Sequence, residues 1–120
     1  MTRRSPVLSF TLAAAAALAL AAPMAGAAEP LAEKAALAKA VAVLKGDPYG
    51  DTAAAVVAAI RERRLVPRRD TVCGGGASLA WAFRVVIPKP VNNPDSPIDG
   101  WLVLDAASGR TVCATLPFLD

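Results

Sequence analysis

The stretch LAWAFRVVI, Leu79 to Ile87, constrains the fold most. In an extended strand successive side chains alternate between faces, which puts Leu79, Trp81, Phe83, Val85 and Ile87 on one side and Ala80, Ala82, Arg84 and Val86 on the other. A face that large and apolar must be covered, so a helical layer is expected against it. A second stretch, GWLVLDAASGRTV from Gly100 to Val112, supplies antiparallel neighbours. Its AASG segment lets the chain reverse, with Gly109 able to take the positive φ that a three- to five-residue hairpin loop needs. The return, RTVCATL, alternates Val112, Ala114 and Leu116 with Thr111, Cys113 and Thr115. Strands are expected at about residues 71–73, 79–87, 100–105 and 111–116, with Gly74 to Gly76 as a flexible turn.

Upstream the period is helical. EPLAEKAALAKAVAVLKG predicts a helix over about residues 31–45, opened by Pro30 and closed by Gly46, with Leu37, Val41 and Leu44 on one face. That stripe is narrow and alanine-rich, so it has little to bury. After the turn-rich GDPYGD, Asp51 offers an N-cap for a helix over about residues 52–65. Val56, Val57 and Ile60 form its expected buried face, and Arg61, Arg63 and Arg64 crowd a last turn where cations suit the helix dipole. The expected fold is α+β: one or two N-terminal helices packed on a three- to four-stranded antiparallel sheet.

The first quarter of the 120 residues reads as a leader rather than as part of this domain. Arg3 and Arg4 precede an apolar run from Val7 to Ala22; Pro23 breaks it, and small residues follow up to Ala28. This is the order of a secretory signal peptide cut after Ala27 or Ala28, leaving residues 29–120 as a single small domain. TRRS hints at a twin-arginine signal, but Pro6 stands where an aromatic is usual. The expected location is therefore outside the cytoplasm, periplasmic or secreted. Of thirteen Lys and Arg, two leave with the leader, so eleven face ten Asp and Glu and the mature charge is close to neutral. A domain of about 90 residues buries only some 60 to 65 per cent of its surface, and a covalent staple helps it. Cys73 and Cys113, the only cysteines, form an even count in an exported chain and read as a disulfide rather than a redox pair. Closing a loop of roughly 40 residues contributes about 4 kcal/mol in the chain-entropy model.

Little in the chain supports catalysis. It has no histidine, the commonest general base and metal ligand. A Ser–Lys dyad of Lys89 with Ser78, Ser96 or Ser108 has no spacing to support it. Asp95, Asp99 and Asp105 lack the room for a glycosidase cleft, and NNPDSPID lacks the ligand spacing of a calcium loop. Gly74 to Gly76 lead into a strand, not the helix a phosphate loop opens. The expectation is a protein without enzymatic activity, cofactor, metal or nucleic-acid partner.

A helix followed by a strand with W-x-F-x-V and then the GWLVLDAASGRTV hairpin resembles the PepSY-type domain over roughly residues 52–112. The resemblance implies a helix on a short antiparallel sheet, a fold that a cystatin-like sheet gripping a helix would share. It also implies binding, and restraint, of extracytoplasmic peptidases. No catalytic residue comes with it; Asp105 and Gly109 carry over as hairpin-shaping positions. The chain departs from the family in its long insertion, Pro88 to Asp99, and in its cysteine pair. That proline-rich loop is long for so small a domain, and such loops more often carry function than short turns do. Val91, Asn92, Asn93 and Asp95, with Trp101 beside them, are thus the expected contacts to another extracytoplasmic protein. The alternative is an envelope-associated structural protein held peripherally to an anionic membrane surface by RERRLVPRR, through Arg63, Arg64, Arg68 and Arg69.

Overall fold

A computed structural model describes residues 29–119; the expected leader lies outside them. Two helices, α1 (Glu33–Leu44) and α2 (Ala53–Ala59), precede four strands: β1 (Ile60–Pro67), β2 (Leu79–Ile87), β3 (Ile98–Asp105) and β4 (Thr111–Ala114). The strands form one antiparallel sheet in the order β1-β2-β3-β4, a meander in which each strand pairs with its neighbours in sequence. The fold is α+β, as expected. No described helix is long and apolar enough to cross a membrane.

The alternation in β2 decides how the layers stack. Trp81, Phe83 and Val85 are buried against Ala36, Ala40 and Leu44 of α1, Val56 and Ala59 of α2, and Leu102 and Leu104 of β3. The Trp81 indole N–H, which would be costly to bury unpaired, donates to the Leu31 carbonyl at 2.9 Å. Ala80, Ala82 and Val103 face the other way and form a second, smaller cluster with Cys73, Trp101, Val112 and Cys113 packed on it.

Several expectations change. The stripe of α1 turns by one residue: Ala36, Ala40 and Leu44 are buried, while Leu37 and Val41 are only partly covered. Alanine lets the helix axis approach the sheet, and the larger side chains pack at its margin. The second helix ends at Ala59 rather than near residue 65, and its cap is Thr52, whose hydroxyl accepts from the Ala55 amide at 3.1 Å, not Asp51. Ile60 begins a strand, so Arg61, Arg63 and Arg64 cap no helix; they lie along an edge of the sheet. Pairing with β2 overrides the local helical propensity of RERR. Finally, residues 71–73 form no strand. They belong to the β1–β2 connection, which the Cys73–Cys113 disulfide ties to β4 with a Cα–Cα distance of 5.9 Å. The strand expected at 100–105 begins at Ile98, and the last one ends at Ala114 instead of Leu116.

Candidate binding cleft

The proline-rich loop is ordered by two successive turns, in which the Asn93 amide donates to the Pro90 carbonyl at 3.2 Å and the Ser96 amide to the Asn93 carbonyl at 3.0 Å. The chain end meets it there. Past Ala114 the backbone leaves the sheet and crosses Gly100, a position so close to the tail that a Cβ would lie 2.5 Å from the Thr115 carbonyl oxygen. Thr115 is tied on both sides: its amide donates to the Trp101 carbonyl at 2.8 Å, and its hydroxyl accepts from the Trp101 amide at 2.9 Å. Leu116 is buried in the core, and the Tyr49 hydroxyl donates to the Pro117 carbonyl. Burial pushes the Tyr49 hydroxyl up to about 12, so it stays a donor through the neutral range.

Loop and tail together enclose a cleft of 360 Å³, walled by Pro90, Asn92 and Asn93 on one side and Thr115, Pro117 and Phe118 on the other. Residues Ser96 to Asp99 also line it. Proline rings, Ile98 and the Phe118 ring give it apolar walls; the two asparagine amides and the Ser96 hydroxyl can both donate and accept. Phe118 is 69% exposed, and Val91, on the outer side of the loop, 78%. Asp99 is the one titratable group among the described lining residues. Its carboxylate receives two hydrogen bonds from Arg84, Nε to Oδ1 at 2.9 Å and an Nη to Oδ2 at 2.7 Å, which hold it below the usual carboxylate range. A committed carboxylate beside neutral amides suits recognition of apolar side chains and peptide groups; it is poorly placed for acid–base chemistry.

Of the residues expected at the contact surface, Asn92 and Asn93 line the cleft, and Val91 and Asp95 are exposed on the loop. Trp101 is elsewhere. It stands half-buried on the face of the sheet turned away from the helices, with the Arg64 guanidinium 5.4 Å from its ring centroid. It lines a separate 120 Å³ hollow, with Ala82, Arg64 and Val66 on the sheet and Asp70, Thr71 and Val72 on the disulfide-tied connection. Thr115, Pro117 and Phe118 are the cleft residues that sequence reasoning missed. Gly100 was the available signal, because a glycine inside a strand often marks a close backbone approach.

The same sheet face carries a charge ladder. Arg84 bridges Asp99 and Glu62, its other Nη reaching Glu62 Oε2 at 2.9 Å, and Arg64 bonds Glu62 Oε1 at 2.7 Å. The Arg84 hydrogen bond first, and then that from Arg64, lower the Glu62 pKa. Arg63 is paired with Glu33 at the start of α1, at 3.0 Å. In the β3–β4 turn the Asp105 carboxylate accepts from the Ser108 amide at 2.8 Å, the Ser108 hydroxyl at 2.9 Å and the Ala107 amide at 3.1 Å. The Ser108 bonds, the backbone one foremost, depress its pKa. Gly109 completes the turn with φ of 76°. No protein-family model matches the chain, and neither the curated proteins nor the solved structures contain a match to it.

Proposed function

We propose that this chain is a small exported, non-catalytic binding module, PepSY-like in kind, that holds another extracytoplasmic protein, with an extracytoplasmic peptidase as one class of target. The observation that carries this reading is the cleft between the proline-rich loop and the chain end, a concave, mainly apolar site with a few convergent amides, held on a rigid sheet. Four prolines in the loop reduce the entropy lost on docking. The disulfide between Cys73 and Cys113 accords with an oxidising compartment.

The alternative, an envelope-associated structural protein held to anionic surfaces by residues 61–69, is less well supported. Arg63 and Arg64 are already paired with Glu33 and Glu62, which lowers the charge they offer to a lipid surface.

Affinity capture from envelope and culture-supernatant extracts tests the reading, using the disulfide-bonded protein, a variant with residues 91–96 replaced by a short glycine linker, and Phe118→Ala. A protein retained by the first, lost with the linker variant and weakened about tenfold by Phe118→Ala is the expected result, since an exposed aromatic that becomes buried on binding contributes roughly this much or more. Capture of nothing, or of the same salt-sensitive material by all three, overturns the cleft. A peptidase panel without inhibition at high concentration removes the peptidase class alone.

A further inference from the structure

β1 is an edge strand of eight residues, and the phase of its backbone can be read from its neighbours. The Arg68 amide donates to the Ser78 carbonyl at 2.8 Å, and the Leu79 carbonyl is used on the opposite side, by the Ala106 amide at 3.1 Å. With a period of two, Val66, Arg64 and Glu62 spend their backbone groups on Ala80, Ala82 and Arg84 of β2. Arg63 and Leu65 therefore turn both N–H and C=O outward, and no described residue hydrogen-bonds to them. Pro67 falls in the same phase, so its missing N–H costs the sheet nothing. By contrast β4, the other edge, has only four residues and is fastened by Cys113.

An exposed edge of this kind is a template for a further strand. Its charge selects the occupant. Glu33 of α1 and Glu62 of the strand pair with Arg63 and Arg64, while Arg61, Arg68 and Arg69 have no ion pair among the described residues, so the edge keeps a net positive charge. A second copy is disfavoured by the same residues: a two-fold at Arg63 or Arg64 sets an arginine opposite itself, one at Glu62 opposes two carboxylates, and one at Leu65 brings Pro67 into the ladder. Leu65, 39% exposed beside Trp81 of β2, offers an apolar contact between the cations. We propose that β1 binds an acidic, extended peptide segment as a fifth, antiparallel strand, with backbone hydrogen bonds at Arg63 and Leu65 and carboxylates set against Arg61, Arg63 and Arg64. This surface shares no residue with the cleft, so either can fail without the other.

The test uses the disulfide-bonded protein and a capped heptapeptide of glutamate pairs separated by single valines, which puts carboxylates on both faces of the added strand, with amide hydrogen exchange as the readout. Saturable binding that slows exchange at Arg63 and Leu65 at least tenfold is expected. The same peptide N-methylated at alternate residues should lose binding, as should the version with lysine for glutamate. Leu65→Pro removes one outward N–H and leaves the β2 ladder intact, and should weaken binding tenfold or more. Arg63→Gln should weaken it several-fold and flatten its salt dependence. Equal binding of the N-methylated peptide, or unchanged exchange at Arg63 and Leu65, overturns the proposal. So does retention on vesicles of anionic phospholipid without any binding of the peptide.

Discussion

Gly100→Ala is the substitution whose effect can be worked most directly from the structure. The new methyl carbon would lie 2.5 Å from the Thr115 carbonyl oxygen, 2.9 Å from Leu116 Cδ2 and 3.0 Å from the Thr115 hydroxyl. Two of these contacts are with the tail's own fixing points, so the tail must lift. Lifting strains the two hydrogen bonds between Thr115 and Trp101, each contributing about 1 kcal/mol. It also partly exposes Leu116, whose full burial contributes about 2 kcal/mol. The expected loss is about 3 kcal/mol, a large share of the roughly 5 to 13 kcal/mol open to a domain this size, and lowers Tm by about 15 °C. Urea unfolding with the disulfide intact measures it. Gly76→Ala is the control, since nothing lies within 4 Å of a Cβ there, and a change within about 0.5 kcal/mol is expected. Because Thr115, Pro117 and Phe118 line the cleft, the proposed binding there should also weaken in Gly100→Ala. A Gly100→Ala protein within about 0.5 kcal/mol of the parent, with the Thr115 amide still protected from exchange, would refute the close crossing.

Two further outcomes follow from the covalent and ionic ties. Replacing Cys73 and Cys113 together by alanine keeps a small apolar atom against Ala80, Ala82 and Val103 and should cost about 4 kcal/mol for a loop closed over 40 residues, read as a lowered urea midpoint. Glu62, Asp99 and Asp105 all have depressed pKa values in the folded state. The unfolded chain therefore binds protons first, and the stability these groups contribute is present above their unfolded values near pH 4 and lost as pH falls through the lower folded ones. Urea midpoints measured between pH 6 and 2 should be flat and then decline, with a shallower decline in Glu62→Gln.

The elements legible in the sequence are those whose two faces differ chemically. β2 sets tryptophan, phenylalanine and valine against alanine, and the structure buries both sets on the expected sides. The hairpin was legible through Asp105 and Gly109, which shape its turn by hydrogen bonding and positive φ. β1 was hidden because both its faces are charged: Glu62 and Arg64 join the ion-pair ladder, while Arg63 reaches across to α1. Such a segment has no hydrophobic period, and its arginines read equally well as a helix end. The candidate cleft was half legible for a similar reason. Loop composition pointed to Asn92 and Asn93, but the opposite wall comes from Thr115 to Phe118, which only tertiary packing brings alongside. Sequence proximity sets Trp101 beside the loop, whereas strand alternation puts it on the far face with Arg64.

The position of the exposed loop between the two cysteines has a topological consequence. Residues 88–97 lie inside the ring closed by Cys73 and Cys113, and β2 and β3 remain paired on either side of them. A hydrolytic cut at the loop tip would open the polypeptide without releasing either fragment, giving a two-chain protein heavier by one water. The pieces would separate on a denaturing gel only after reduction.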